Sequence, residues 1–312
     1  MNGYENITRL ISATKSDFNK MTPMDLKTSI LKSEGRVVMG QHLLFDSRGL
    51  VRGVTNTELL FAFGADMVLL NTYNFDDESQ NPGMHGLTLE ELKKRCNRPI
   101  GIYLGCPSKD APTDHKLYDS GGMAATEAHI EQAIRMGTDF IVLGGNPGSG
   151  TSIQDVIDTT KRIKDKYGER VFLFSGKWED GIREKVLGDP LAEREAREIV
   201  AELIDAGADA VDFPAPGSRN GISTDMIREL VQFTHSYKEG TLAMVFLNSS
   251  VEGSDMETIR MTALKMKETG ADVHAIGDGG FSGCASPENI MQLSISLKGK
   301  PYTYFRMAST NI

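Results

Sequence analysis

A short phrase returns four times in this chain and constrains its fold more than any other feature. The copies are Phe63-Gly64-Ala65-Asp66-Met67-Val68-Leu69-Leu70, Met136-Gly137-Thr138-Asp139-Phe140-Ile141-Val142-Leu143, Ala206-Gly207-Ala208-Asp209-Ala210-Val211 and Thr269-Gly270-Ala271-Asp272-Val273-His274. Each reads as the end of a helix, a glycine, a small residue, an aspartate and then a strand. Glycine tolerates the positive φ that stops a helix, so it belongs just past the C-cap. The copies recur at roughly 65–75 residues, about twice one strand–helix unit. Four double units imply eight strands and eight helices.

Apolar runs and capping signals supply the remaining elements. Strands are predicted over 36–44, 67–73, 99–105, 140–145, 170–177, 210–214, 242–248 and 273–278. Helices follow them over 55–63, 87–96, 124–136, 152–167, 191–206, 224–236, 256–269 and 287–297. Thr55 with Glu58 forms a capping box. Ile199, Val200, Leu203 and Ile204 give the fifth helix the stripe of an amphipathic helix. Strands such as Val171-Phe172-Leu173-Phe174 are continuous apolar runs, as strands buried on both faces should be. Strict alternation leaves a closed barrel or an open doubly wound sheet. Eight units in about 260 residues favour an α/β fold of the (β/α)8 TIM barrel type. Residues 1–34 read as a short N-terminal helical extension that covers the barrel base, with Thr22-Pro23 starting one of its helices. Residues 35–312 form the barrel, a single domain.

Composition narrows the class of partner. Net charge of −9 argues against a nucleic-acid or membrane surface, which needs a basic face. Cys96, Cys106 and Cys284 are widely spaced and include no CxxC pair, so neither a disulfide framework nor a structural zinc site is indicated. The first twenty residues are polar, without the apolar core of a signal peptide. A cytoplasmic protein is the expectation, with a small anionic metabolite as partner and room for a homo-oligomer.

Loop lengths choose the face. Helix-to-strand connections are often just Gly-Ala, whereas the strand-to-helix connections 45–54, 74–86, 106–123 and 178–190 exceed the usual 2–6 residues. The elaborated face lies at the strand C-termini, where barrel enzymes place their sites. Strand ends there offer Gln41 and His42, Asn71 and Tyr73, Tyr103, Asn146, Ser175 and Lys177, Asp212, Asn248 and Ser249, then His274 and Asp278. Alternate residues point into or out of the barrel, and the sequence leaves the phase open by one residue. Lys177 is the only lysine at a strand end and suits a Schiff base or a phosphate anchor. His42 and His274 stand on adjoining strands as proton shuttles and, with Asp278 or Asp46, as an acid/base pair or ligands of a divalent metal. Gly277-Asp278-Gly279-Gly280-Phe281-Ser282-Gly283, beside Asn248-Ser249-Ser250, reads as a phosphate cradle ahead of a helix. Asp278 complicates it, since a carboxylate repels phosphate unless a cation bridges them. The turns Gly145-Asn146-Pro147-Gly148-Ser149 and Pro214-Ala215-Pro216-Gly217-Ser218 form a matched pair on the same face. Asp66, Asp139, Asp209 and Asp272 lie at strand starts, on the opposite face, and read as structural.

Several of these blocks resemble a bacterial family of uncharacterised barrel proteins. The resemblance rests on Gly64-Ala65-Asp66 through Leu70-Asn71, Phe140-Ile141-Val142-Leu143 with Gly145-Asn146-Pro147-Gly148, and Pro214-Ala215-Pro216-Gly217. Ile276-Gly277-Asp278 with Pro287-Glu288-Asn289-Ile290-Met291 and the tail Tyr304-Phe305-Arg306-Met307-Ala308 fit as well. It covers most of the chain from about Ser33. Members are often labelled haloacid-dehalogenase-like hydrolases, a label at odds with this chain, which lacks an Asp-x-Asp motif after its first strand. The resemblance implies sugar phosphotransferase surroundings and supplies no catalytic residues.

The sequence therefore predicts a barrel enzyme for a small phosphorylated or carboxylated metabolite, an aldolase-type lyase or an isomerase. Lys177 serves as electrophile or anchor, His42 or His274 as proton shuttle, Asp278 as a further catalytic group. Gly277, Gly279 and Gly280 with Ser249 cradle the phosphate, and Asn71, Asn146 and Asn248 bind substrate. The alternatives are a metal-dependent barrel and a non-catalytic sugar-phosphate-binding protein.

Overall fold

A computed structural model describes residues 6–46, 49–106, 121–146, 149–179, 184–280 and 282–309. Parts of the long loops, including Pro147, Gly148 and Phe281 of the Gly-rich turns, lie outside the described residues. Eight parallel strands close into a barrel in sequence order: β1 (Val37–Leu43), β2 (Met67–Asn71), β3 (Ile100–Gly105), β4 (Ile141–Gly144), β5 (Leu173–Gly176), β6 (Ala210–Pro214), β7 (Leu242–Leu247) and β8 (Val273–Ile276). Closure is through β1 and β8, with Val38 level with His274 and Gly40 with Ile276. Two short helices, α1 (Lys15–Phe18) and α2 (Pro23–Leu31), precede the barrel. Its outer ring is α3 (Asn56–Ala62), α4 (Leu89–Cys96), α5 (Glu127–Arg135), α6 (Ile153–Tyr167), α7 (Ala196–Asp205), α8 (Thr224–Tyr237), α9 (Met256–Glu268) and α10 (Pro287–Ala308).

The repeated phrase performs one task four times. Gly64, Gly137, Gly207 and Gly270 all adopt positive φ, from 77° to 108°, as the helix stop requires. Each following aspartate then clasps one residue of the preceding strand through two hydrogen bonds. Asp66 donates its N–H to the Val38 carbonyl at 2.8 Å, and its carboxylate accepts the Val38 N–H at 2.9 Å. The same clasp joins Asp139 to Ile100, Asp209 to Leu173 and Asp272 to Ala243. A first N–H of a strand has no ladder partner on that side, and leaving it buried and unpaired is costly. Each carboxylate has a basic partner: Lys298 and Arg306 on Asp66, Lys93 on Asp139, Lys164 and Lys27 on Asp209, and the imidazole of His235 on Asp272. These aspartates build the barrel floor.

The core is two-layered. Val37, Met39, Leu69, Val142, Phe174, Met244 and other inward side chains fill the lumen, while Val38, Leu70, Leu143, Val211 and Val245 pack outward on the helices. Leu10, Ile11, Leu26 and Ile30 join the inner cluster from below, so the N-terminal helices close the base. The last helix runs further than its apolar pattern predicts. At Gly299 (φ 79°, ψ 162°) the chain breaks and Pro301 begins a second helical stretch that ends at Ala308. This stretch turns beneath the barrel, where the buried Arg306 bonds Asp66 and the carbonyls of Ala13 and Leu10. The helix expected from residue 191 starts instead at Ala196, after the turns that follow Pro190.

Candidate active site at the barrel mouth

The clasps fix the phase that the sequence leaves open. Their partners Val38, Ile100, Leu173 and Ala243 face the helices. The residues directly after each aspartate, Met67, Phe140, Ala210 and Val273, face the lumen. Counting by twos along each strand brings Gln41, Asn71, Tyr103, Trp178, Asp212 and Asn248 to the inner surface near the mouth.

Asp212 is the most unusual of these. It is fully buried, level with Gly176 on β5 and Met244 on β7. Neither carboxyl oxygen has a hydrogen-bond partner among the described residues. Burial without a partner pushes its pKa well above the usual carboxylate range, which favours the neutral acid. Gly176 leaves it room, since a Cβ there would come within 2.2 Å of the Asp212 carbonyl oxygen. One layer nearer the mouth, Trp178 stacks on Phe246 with centroids 5.2 Å apart and planes 21° from parallel. Its benzo edge lies over Gly144, and it meets Tyr103 edge-on at 6.1 Å. The Trp178 Nε1–H is buried and also lacks a partner among the described residues. Around this stack is a rim of amides and carboxyls. Asn71 Nδ2 donates to Gln41 Oε1 at 3.3 Å and to Asn146 Oδ1 at 3.4 Å, both long. Asn248 Nδ2 donates to Glu179 Oε2 at 2.6 Å.

Three of the four catalytic residues expected from sequence face the other way. Lys177 is buried outside the lumen, its ammonium donating to the Thr151 carbonyl at 2.8 Å ahead of α6. His42 contacts Thr57 of α3 through Nδ1 at 2.9 Å, and burial pushes its pKa down to about 3. His274 lies near the base, with Nε2 3.1 Å from the Gly35 carbonyl and a pKa lowered by burial to about 4. All three occupy the outward phase, which a one-residue slip exchanges for the inward one. The two histidines therefore do not meet Asp278 in a common ligand set, and no group of three His, Cys, Asp or Glu suited to a metal occurs among the described residues.

The Gly-rich loop after β8 is also different from a phosphate cradle. The Ser249 N–H already donates to both oxygens of the buried Glu252, at 2.8 and 3.0 Å. Asp278 is raised by burial and holds a backbone hydrogen bond with Gly280. Glu252 is likewise raised, by burial first and by the neighbouring Asp278 charge as well. Gly277 and Gly279 pack tightly, a Cβ at the first meeting Asn248 Oδ1 at 2.8 Å and at the second Gly253 N at 2.5 Å. The Ser249 and Gly280 N–H groups of this loop pair are thus taken by the protein's own carboxyls. Cys106 and Cys284 are buried thiols raised to about 12, which makes them poor nucleophiles.

Residues 11–312 match the domain of unknown function DUF7916. The chain belongs to the DUF7916 family. No curated protein matches it in sequence. Among solved structures, this DUF7916 barrel is similar to the carboxyl transferase domain of Rhizobium etli pyruvate carboxylase with 3-bromopyruvate, at 12% identity and a TM-score of 0.52. That likeness covers 98% of this chain and 55% of the other, so the chain spans about half of that protein. It is also similar to an archaeal fructose 1,6-bisphosphate aldolase at 15% identity and a TM-score of 0.50, covering 86% of this chain and 96% of the other. At such identities the likeness shows the barrel fold. No described helix is long and apolar enough to cross a membrane.

Proposed function

We propose that this DUF7916 protein is a barrel enzyme of the lyase or isomerase type, acting by carboxyl acid–base chemistry at the mouth of the lumen. The observation that carries this reading is Asp212, an acid facing inward on β6 with no partner among the described residues and with its pKa raised by burial. A carboxylic acid held neutral near pH 7 donates a hydrogen bond to a substrate oxygen and stabilises charge developing there. Glu179, oriented by Asn248, is the second carboxyl and receives a proton from the carbon next to a carbonyl. Proton removal of this kind begins isomerisation; in carbon–carbon cleavage the same base takes the proton of the hydroxyl β to the carbonyl, the bond between the α and β carbons breaks, and the enolate formed is protonated at carbon. The aldolase neighbour shares the architecture, and the chemistry proposed here rests on this chain's own residues. A Schiff base on Lys177 loses support because its ammonium leaves the lumen. A phosphorylated substrate loses support because Glu252 and Asp278 occupy the expected cradle.

The test is hydrogen exchange at carbon. A panel of ketoses, aldoses and hydroxy acids is incubated with protein in D2O and followed by NMR. Deuterium incorporation or cleavage that disappears in Asp212→Asn supports the reading. Turnover that persists in Asp212→Asn, or none across the panel, overturns it.

A further inference from the structure

The inner surface carries two buried polar groups, Asp212 and Trp178, that have no partner among the described residues, and they differ in kind. Asp212 in its neutral form offers one donor and several acceptor sites, and Trp178 offers a donor alone. Burying such groups without partners costs free energy that a ligand's own hydrogen bonds would return. The two are separated by one layer of the barrel, because Phe246, on which Trp178 stacks, lies two residues beyond the Met244 that is level with Asp212. The indole therefore stands between Asp212 and the mouth. Elsewhere on the inner surface the Asn71 donors are spent on two long, weak bonds to Gln41 and Asn146. Among the described residues the amides, the acid and the indole provide donors and acceptors on the inner surface, and the Arg219 guanidinium beside them is directed to the Trp178 backbone carbonyl at 3.4 Å. Hydroxyl groups, each donor and acceptor at once, match that set, whereas a dianion does not.

Resting on the reading of the mouth as the active site, we propose that Trp178 is the recognition residue for a neutral ligand bearing adjacent hydroxyls. The ligand moves the indole off Phe246, takes the Nε1–H on one oxygen and places a neighbouring hydroxyl on Asp212. Trp178 selects the substrate class and uncovers the acid in a single movement.

Trp178 is the only tryptophan in the chain, so its emission reports this event without labelling. Wild-type protein is titrated with four- to six-carbon alditols, which cannot undergo exchange next to a carbonyl, and in parallel with inorganic phosphate. The expected result is a saturable change in emission with alditols and none with phosphate. Asp212→Leu should weaken alditol binding at least tenfold. Asp212→Asn, which keeps a donor and an acceptor, should retain it within a few-fold; unchanged circular dichroism checks both folds. Calorimetry on Trp178→Phe, which keeps the stack and loses the N–H, should show weakening of about tenfold. A response to phosphate with none to alditols overturns the proposal, as does an unaltered alditol affinity in Trp178→Phe and Asp212→Leu. Alditol binding without exchange of any ketose would remove the proposed chemistry and leave the recognition standing. Exchange of a ketose with no alditol response would do the reverse.

Discussion

Trp178 lies against Phe246 at 5.2 Å between ring centroids, bridging from the end of β5 to β7 across the strand that carries Asp212. The stack closes the lumen one layer above an acid that has no partner of its own among the described residues. Chemistry at Asp212 requires that this aromatic cover be displaced, and the cover's indole carries a donor ready for whatever displaces it.

Asp212 should impose a pH dependence on stability. Its folded pKa is raised while its unfolded value is ordinary, so the unfolded chain loses this proton first as pH rises. The contribution is fully present below about pH 4 and declines above it, by about 1.4 kcal/mol per pH unit until the folded group itself ionises. Asp212→Asn removes this decline. Urea unfolding from pH 4 to 8 should show the variant gaining on wild type as pH rises; parallel curves would contradict the assignment.

His42 and His274 carry the opposite sign. Their folded pKa values, about 3 and about 4, lie below the unfolded value of 6.5. The stability they contribute is whole above pH 6.5 and is lost as pH falls toward their folded values. Replacing His42 with Gln should flatten the loss of stability between pH 6.5 and 4, measured by thermal melts in that range.

The clasps at the barrel floor should differ in cost. Asp66 is fully buried with Lys298 and Arg306, so Asp66→Asn strands two buried cations and should cost about 3–5 kcal/mol. Asp139 pairs with a partly exposed Lys93, so Asp139→Asn keeps most of its clasp and should cost about 1 kcal/mol. Chemical denaturation of the two variants ranks them directly.

Lys177 serves the structure by donating to the Thr151 carbonyl. Lys177→Met should lower stability by about 1–3 kcal/mol, through the buried carbonyl left behind, while carbon-bound exchange continues. Borohydride treatment with a ketose should give no covalent adduct by mass spectrometry; an adduct on Lys177 would restore the Schiff-base reading.

Gly176 should tolerate nothing larger. Alanine would place its Cβ 2.2 Å from the Asp212 carbonyl oxygen, a backbone atom that cannot swing away. Gly176→Ala should cost more than the roughly 1–3 kcal/mol of ordinary overpacking, read from its melting temperature.

The repeated Gly-x-Asp phrase, with the alternation of strand and helix around it, pointed to the barrel from sequence. Positive φ at the glycine is a local steric demand, and the helix stripes and capping boxes around it are local as well. The same phrase also held the phase of the strands: the residue after each aspartate faces the lumen in all four copies, at Met67, Phe140, Ala210 and Val273. Counting from there selects Asn71 and Asp212 and turns His274 outward. That rule follows only from the clasp, a contact between residues 28 to 39 positions apart. Histidine and lysine at strand ends look like chemistry in a linear reading, because residue type is visible there and direction is not. Side chains alternate every residue, so an uncertainty of one position exchanges Lys177 for Trp178 and His42 for Gln41. What the sequence determined was the architecture and the face, through local backbone sterics and hydrophobic period. Which side chains share the lumen, and which acid lies there without a partner among the described residues, was decided by strand register, a property of the closed barrel alone.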